Sequence, residues 1–551
     1  MKKRNRSKNS VTLRIYLKNK IIQFFASLRL CVNSFLLYLK KINLSKNSIF
    51  YKKNINAKRQ RRKEGYLFLK HYKLFIFVLI LAGCSVGPNY KTPENAIAST
   101  WAEKVEDTDA PLIKWWEVFG DDLLNKYIKT AAEFNNDVLT ATSNIMQARA
   151  MRQIVASAFF PQIGADVNAT RTYFSKNGPV FAGNDIAGVD STPSTLPIFL
   201  QAPQLQNLYN AVIDASWEID IWGKTRRQVE SATAYIGEKI EERNAVLLSV
   251  MAEIANNYIE LRASQKESKL IEQNIQLLEI EYLLIHKQFE VGYVSRLDDE
   301  SIQAILAAER AKLPNFLAQI HRNIYTISIL TGAVPETLLE ELLPISNLPT
   351  IPQTIAVGLK SDLLRRRPDI RKVERQLAEA TADVGVAVAS FFPSFVLMGD
   401  SGFQSLSLGN LFALASKTWS FGGDLNLPIF KGGKLVGNLR TKRAKTESVS
   451  HTYQQTILKA LEETESAIAT YTQDLQIINQ RNEASNRYAD LVNLSKERYI
   501  KGLVGLLNLL KSERESNYSE QLLLASRTKT LLDTIYLYKA LGGGWQAEFS
   551  D

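Results

Sequence analysis

Cysteine and histidine, the residues most able to carry chemistry, are scarce in this chain. Its two cysteines, Cys31 and Cys84, are too few for a disulfide framework. The four histidines have no cysteine or histidine neighbours, so their spacing predicts no metal site. The sequence also lacks a serine–histidine elbow and a phosphate-binding loop. We therefore predict a protein that is not an enzyme and that uses no cofactor.

Cys84 stands at the end of a pattern typical of a secretory leader. Residues 70–73 (KHYK) are basic, residues 74–81 are eight apolar residues, and residues 81–83 (LAG) suit a cleavage site. Eight apolar residues are too few to cross a bilayer, which takes about 20. The alternative is a buried helix that ends in a cysteine. The order of charge, apolar run and small residues favours a signal peptide over 67–83.

The four residues that end at Cys84, Leu-Ala-Gly-Cys, resemble the bacterial lipobox. In lipoproteins with this motif the chain is cut before the cysteine, whose thiol is diacylated. The resemblance implies that Cys84 is a lipidated N-terminus. Because Ser85 rather than aspartate follows, it also implies sorting to the outer membrane. Residues 84–111 are then a lipidated linker.

The net charge of +12 is confined to one end of the chain. Residues 1–73 hold 21 lysines and arginines and a single acid, Glu64, whereas the remainder holds 47 bases and 55 acids. The basic pI therefore does not predict a nucleic-acid partner. Residues 1–66 form a basic low-complexity extension. They are either upstream sequence joined by a misassigned start or a functional tail.

An internal duplication organises the rest of the chain. "ASAFFPQI" at 156–163 recurs as "VASFFPSF" at 388–395, and "QFEVGYVSRLD" at 288–298 is matched by "RYIKGLVGLLN" at 498–508. Matches in one order at nearly one spacing predict two copies of a unit of about 210 residues. The predicted domains are a first repeat at 112–340, a linker at 341–362, a second repeat at 363–545 and a tail at 546–551.

Each copy contains two segments in which apolar and polar residues alternate, the pattern of a strand with one wet face. The predicted strands are 161–173, 210–222, 393–404 and 418–430. Their polar face is expected to line water. The residues predicted on that face are Asp214, Ser216, Glu218, Asp220, Asp424 and Asn426.

Long helical segments follow each strand pair. Apolar residues at spacings of three and four predict helices at about 226–291 and 440–501. Each ends at a glycine turn, Gly292 or Gly502, and a second helix follows, at about 297–330 and 507–541. Sixty-six residues of helix extend about 100 Å, which is too long for a compact globule.

The fold class that follows is mainly α, with a small β part. The four strands suit membrane strands of about 9–11 residues, but an open sheet in lipid leaves backbone groups unpaired. Closure therefore needs several chains. Two chains would give eight strands and a filled interior, whereas three give twelve strands and room for a lumen. We predict a trimeric, twelve-stranded barrel continued by a helical tunnel.

Three segments resemble the lipoprotein (NodT-type) subgroup of the TolC-like outer-membrane efflux channels. They are "CSVGPNYKTP" at 84–93, "LLRRRPDIRKVERQLAEATADVGVAVASFFP" at 363–393 and "LYKALGGGW" at 537–545. The resemblance implies a homotrimer in outer-membrane lipid with a periplasmic helical tunnel. It also implies docking to a periplasmic adaptor protein and to an inner-membrane pump of the RND type, for the export of drugs or other small molecules.

The resemblance assigns roles to residues at the two helix ends. The positions that match the adaptor-binding tips are Gly292, Val294, Ser295 and Leu297, with Gly502, Val504, Gly505 and Leu507. Simple helix turns are the alternative for each of them. Relatives ring their periplasmic aperture with carboxylates, but this chain has Asn508 and Lys511 at the corresponding positions, and Arg514 persists. Asp298 and Asp299 are the predicted negative partners of Lys511 at this gate.

One further motif and two rival functions remain. Arg367-Pro368-Asp369 is predicted to start a helix and to have no chemistry, since proline suits a first turn and an acid suits the helix dipole. A type I secretion duct for polypeptides has the same architecture. A lipid-anchored coiled-coil scaffold without a pore is a rival of another class. The paired amphipathic strands favour a passive gated duct over the scaffold.

Overall fold

The computed structural model describes residues 85–93, 100–103, 113–175, 204–352 and 354–546. Cys84, the predicted leader, the basic extension and most of the loop between the first two strands lie outside these residues. Predictions that fall on them stay predictions. Within the described ranges, no helix combines the length and the apolar character needed to cross a membrane.

Eight principal helices and four strands make up the described chain. They are α1 (Asp122–Phe134), α2 (Asn136–Ala156), β1 (Gln162–Tyr173), β2 (Leu205–Ile219), α3 (Lys224–Glu290), α4 (Arg296–Arg310), α5 (Leu313–Leu330), α6 (Pro368–Ala389), β3 (Ser394–Ser405), β4 (Lys417–Asn426), α7 (Lys434–Ile500) and α8 (Leu506–Ala540). Short helical turns lie at Trp115–Phe119, Leu339–Leu342 and Leu363–Arg366.

The two long helices, α3 and α7, each contain 67 residues. Each follows a glycine in the left-handed conformation, Gly223 (φ 79°) or Gly433 (φ 84°), which turns the chain out of the preceding strand. The predicted start of α7 at residue 440 is wrong, because this glycine turn fixes the first helical residue and hydrophobic periodicity does not. Helix α3 forms the centre of the fold, where it contacts α1, α2, α4, α5, α6 and α8.

The second helix of the first copy is broken, contrary to the prediction of one helix over 297–330. Helix α4 ends at Arg310 and α5 begins at Leu313. Pro314 lies in the first turn of α5, where it has no N–H to donate to the carbonyl of Arg310. The second copy has no proline here, and α8 continues for 35 residues.

The strands form one antiparallel sheet in the order β1-β2-β3-β4. The two copies meet in the middle of it, where β2 pairs with β3 and Asp214 lies opposite Asp400. Strands β1 and β4 are the two edges of the sheet. The prediction that β4 extends to residue 430 is wrong, because the strand ends at Asn426 and Pro428 lacks the N–H that a ladder needs.

The main core lies where the turn at Trp115–Phe119 and helix α1 pack on the middle of α3. The Trp115 ring stacks on Tyr538 of α8 at 5.6 Å between centroids. Tyr258 of α3 is fully buried, and its hydroxyl donates a 2.8 Å hydrogen bond to Asp121, which caps α1. These contacts tie the middle of the long helices together and leave their far ends free to project.

Candidate channel surfaces

The two faces of the sheet differ sharply in polarity. The register pairs even-numbered residues with even-numbered residues throughout, so all of them share one face. Five of the six residues predicted to line water lie on this face: Asp214, Ser216, Glu218, Asp424 and Asn426. The odd-numbered face is apolar and exposed, with Trp419 at 72% and Val167 at 78% of full exposure.

The prediction for Asp220 is wrong. Strand β2 ends one residue earlier, at Ile219. The Asp220 carboxylate instead accepts hydrogen bonds from the backbone N–H groups of Thr225 (3.1 Å) and Arg226 (3.0 Å), and it pairs with the Arg226 side chain at 3.2 Å. It therefore caps the start of α3, where unpaired N–H groups favour an anion. Strand β2 was predicted to end at residue 222. It ends earlier because the residues after Ile219 turn toward α3 to place this cap.

Two acids on the polar face were not selected from the sequence. Asp400 lies directly across from Asp214 on β3, and its carboxylate accepts a hydrogen bond from the hydroxyl of Ser420. Asp166 lies on β1, where its carboxylate accepts a 2.7 Å bond from Asn168. The alternation in β1 was a usable signal for Asp166. Polar and apolar residues alternate poorly along β3, so only the pairing of β3 with β2 places Asp400 on the polar face.

The two helix ends are exposed turns of matching shape. Gly292 (φ 82°) and Gly502 (φ 67°) both adopt the left-handed conformation that such turns require. Leu297 and Leu503 project into solvent at 77% and 65% of full exposure, while Val294 and Val504 are half-buried. Each turn thus presents apolar side chains at the end of a long helix.

The tips differ in how their second helix begins. Ser295 and Asp298 form a capping box at the start of α4, and the Ser295 hydroxyl holds the pKa of Asp298 below its usual range. The second tip has Gly505 at the equivalent position, with no side-chain cap, and Leu507 is half-buried. The first tip is therefore the more firmly fixed of the two.

The residues predicted at the gate do not come together within one chain. Asp299 is buried against α3, where its carboxylate lies 2.9 Å from Nδ1 of His286 and 2.8 Å from Nε2 of Gln303. Among the described residues no acid pairs with the exposed Lys511, so the predicted Lys511–Asp pair is not formed within the chain. Arg514 instead pairs with Glu281 of α3 at 3.0 Å.

Asn508 lies one turn before Lys511 on the same exposed side of α8. Its backbone carbonyl accepts a 3.0 Å hydrogen bond from the Ser512 hydroxyl. The side-chain amide of Asn508 and the ammonium group of Lys511 are exposed and can face another chain. A gate between chains therefore stays a prediction.

The segment that follows Cys84 is held at the junction of strands and helices. The Val86 N–H donates to the carbonyl of Trp222 at 3.2 Å, and Arg227 donates to Asn89 at 2.5 Å. Further along, the Tyr90 hydroxyl donates to Glu374 at 3.1 Å. The first residues after the predicted lipid site thus lie beside Trp222, at the sheet end of α3.

Arg367-Pro368-Asp369 starts α6, as predicted, but the sequence did not reveal the partners of Arg367. Its guanidinium donates to Asp369 (2.7 Å), to Glu463 of α7 (2.7 Å) and to the carbonyl of Ala540 at the end of α8 (3.0 Å). Glu463 and Ala540 are far from Arg367 in the sequence, so only the folded structure identifies them as its partners. The motif is a structural link between three helices.

Comparison with protein families identifies the chain. The model of the family described as "Outer membrane efflux protein" matches residues 127–333 and 359–543. The chain belongs to this family. The two matched segments coincide with the two copies of the helical unit, so the family pattern follows the duplication. The predicted fold, mainly α-helical with a small sheet, is confirmed.

Relatives of this family are similar along most of the chain. The toluene efflux pump outer membrane protein TtgC of Pseudomonas putida is 30% identical, over 86% of this chain and 95% of its own. The pyoverdine export outer membrane protein OpmQ of Pseudomonas aeruginosa is 28% identical over 87% and 98%. The solved structure of the outer-membrane channel OprN has a TM-score of 0.73 and 30% identity, covering 84% of this chain and 100% of that one.

These similarities establish the class of protein. The chain is the outer-membrane channel component of an efflux system, with its helical part in the periplasm. The relatives are transport proteins rather than enzymes. The predicted function and compartment are confirmed at this level.

Proposed function

We propose that three copies of the chain close into a twelve-stranded barrel above a helical tunnel and act as a passive, gated duct. One observation carries the proposal: the sheet has one polar and one apolar face, and among the described residues its two edges, β1 and β4, have no partner strand. Unpaired edges are costly in lipid, so β4 of one copy is expected to pair with β1 of the next. The apolar face then contacts lipid and the polar face contacts water.

The proposed partners are inferred from the exposed helix ends and from the sequence, which lacks a phosphate-binding loop. A duct without a nucleotide site depends on other proteins for energy, and the exposed apolar tips suit contact with a periplasmic adaptor. We assign the adaptor and an inner-membrane RND-type pump as partners. The proposed cargo is drugs or other small molecules. Of the residues predicted at the gate, Asn508 and Lys511, with Asp298 from a neighbouring copy, are the proposed gate, because Asp299 and Arg514 are held by partners in their own chain.

The proposal predicts a conducting trimer whose lumen attracts cations. Replacing both Asp214 and Asp400 by asparagine removes two carboxylates per chain from the polar face. Carboxylate rings favour cations, so we expect the ratio of cation to anion permeability to fall at least about twofold. Native mass spectrometry of the protein in detergent gives the subunit number, and reversal potentials in planar bilayers give the ratio.

The matched control replaces Glu336 and Glu340, exposed acids in the turn after α5, by glutamine. It removes the same charge and is expected to leave the permeability ratio unchanged. The lumen variant should fold, because like charges directly opposite each other destabilise a sheet. A monomer without current, or a ratio unchanged by the Asp214→Asn/Asp400→Asn variant, would contradict the proposed lumen.

The tips yield a second prediction. Replacing Leu297 and Leu503 by aspartate places charge on the exposed apolar turns, so we expect coupling to the adaptor to be lost while the trimer and its conductance persist. Efflux activity in the native host and site-specific cross-linking from residue 294 measure the effect. Leu343→Asp, in the connection after α5, is the control because that leucine is also exposed. Full efflux in the double tip variant would exclude the tips as the docking site.

A further inference from the structure

A drug-sized groove runs along one side of α3, between α5 and α8. Its volume is about 670 Å³, within the range of small-molecule sites. Phe316 of α5 and Tyr518, Leu522 and Leu532 of α8 form its walls. The Tyr518 ring is 62% exposed although it lies in an apolar surrounding. The groove is thus apolar, aromatic and open to solvent.

Two carboxylates on α3, those of Glu260 and Glu267, line the groove. Neither makes an ion pair or a side-chain hydrogen bond with any other described residue. Burial raises the pKa of both, and that of Glu267 reaches about 6. Unpaired, half-buried acids destabilise a fold, which is the pattern expected where a ligand supplies the missing charge.

The bases around the groove are already neutralised. Lys312, at the break between α4 and α5, donates a 2.8 Å hydrogen bond to Glu309. Lys529 of α8 pairs with Asp474 at 2.8 Å and with Asp533 at 2.7 Å. The groove therefore keeps a net negative charge beside apolar and aromatic walls.

The position of the groove agrees with a path for small molecules. A separate cavity on another face of α8 is lined by residues 346–352 together with Lys266, Glu520 and Arg527. No residue of 346–352 lines the groove, which stays open to solvent. Both of its walls belong to one chain, so it is complete without a second copy. In a tunnel built from these helices, we expect this open groove to face the lumen.

We propose that this groove binds amphipathic organic cations. The ammonium or phosphonium centre would lie between Glu260 and Glu267, and its apolar groups would contact Leu522 and Leu532. Phe316 and Tyr518 add attraction between their ring faces and the cation. This inference rests on the proposed function, because it names the class of exported substrate that contacts the tunnel wall.

Binding should depend on pH with a defined sign. Glu267 must be ionised to attract a cation, so affinity is expected to fall as the pH drops through about 6. The charged and titratable groups that face it are Glu260 of α3, Glu309 of α4, Lys312 at the helix break, and Tyr518 and Lys529 of α8. Because Lys312 and Lys529 are held in ion pairs, Glu260 and Glu267 carry the response.

The same acids predict a change in stability. A carboxyl whose pKa is raised by folding destabilises the fold once it is ionised, and the penalty disappears below its unfolded value of 4.5. Glu267→Gln is therefore expected to raise the melting temperature at pH 7.5 and to leave it unchanged at pH 4. This readout shows independently of any ligand that the carboxylate is unpaired.

The experiment is calorimetric titration of the full-length protein in detergent with tetraphenylphosphonium at pH 7.5. Tetraphenylborate, which has the same shape and the opposite charge, is the ligand control. We expect the cation to bind, the Glu260→Gln/Glu267→Gln variant to lose at least about tenfold in affinity, and Tyr518→Ala to weaken binding without a change of charge. Glu272→Gln, an exposed acid on the same helix, should bind as the parent does.

The outcomes separate this inference from the proposed function. Conductance without cation binding, equal binding of the borate, or unchanged affinity in the double glutamine variant overturns the groove as a cation site and leaves the duct intact. Absence of conductance and of a trimer refutes the duct itself. If the double variant loses adaptor association or trimer assembly instead of cation affinity, the groove holds a protein helix and the inference is wrong.

Discussion

Replacing Arg367 by alanine is expected to lower the free energy of unfolding by about 2 kcal/mol. The side chain is nearly buried and joins the start of α6 to the middle of α7 and the end of α8. Its removal takes the ion-pair partner from Asp369 and Glu463, and it leaves the buried carbonyl of Ala540 with only a 3.3 Å hydrogen bond from the Thr464 hydroxyl. The two carboxylates are partly exposed, so water compensates for part of the lost ion pairs, and the remaining cost comes from the weaker bonding of the buried carbonyl and from lost packing of the arginine stem. Thermal unfolding followed by circular dichroism in detergent measures the loss.

Two variants make this measurement specific. Arg367→Lys keeps the charge but cannot direct three donors in a planar fork, so its melting temperature should lie between those of the parent and Arg367→Ala. Arg365→Ala removes a neighbouring exposed arginine and is expected to change stability little. If Arg367→Ala has the melting temperature of the parent, or if Arg365→Ala lowers that temperature as much as Arg367→Ala does, the contacts of Arg367 with the three helices do not stabilise the fold.

The features that repeat along the sequence could be predicted from it. Apolar spacing of three and four identified both 67-residue helices, and alternation identified four strands. Both periodicities follow from local backbone geometry, which a single chain encodes. The glycine turns at Gly292 and Gly502 were equally visible, because a left-handed backbone favours one residue type.

The predictions that failed concern residues whose role depends on a second element. Asp220 continues the alternation of β2, so its type and spacing fitted the polar face. The start of α3 needs an acceptor, however, and takes this carboxylate away from the strand. The break before α5 was also missed, although Pro314 was a readable signal there.

Adjacent acids at the first tip show why spacing alone cannot assign a gate. Successive residues of a helix point about 100° apart, so Asp298 and Asp299 cannot face the same partner. Asp298 closes the capping box of α4, and Asp299 turns inward to His286. Sequence identified the region, but which carboxylate remains available depends on the packing of α3 against α4.

Replacing Cys84 by serine is expected to abolish acylation of the chain. The prediction depends on the leader pattern and on the lipobox resemblance, and the structure limits where the anchor can lie. Consecutive Cα atoms are about 3.8 Å apart, and a Cβ added to Gly223 would lie 2.9 Å from Cα of Ser85. Ser85, the residue after Cys84, therefore lies at the junction between β2 and α3.

This position suits an acyl anchor, because the junction is where the apolar face of the sheet ends and the helices begin. Acyl chains attached to residue 84 would enter the lipid layer that the sheet is proposed to contact, where each buried methylene adds about 0.8 kcal/mol of membrane affinity. Intact mass spectrometry of protein from outer membranes checks the prediction. The parent should begin at an acylated Cys84, Ser85→Ala should match it, and Cys84→Ser should carry no acyl mass. A parent chain that retains residues before 84 would mean that the segment held beside Trp222 is an internal connection and not a lipidated terminus.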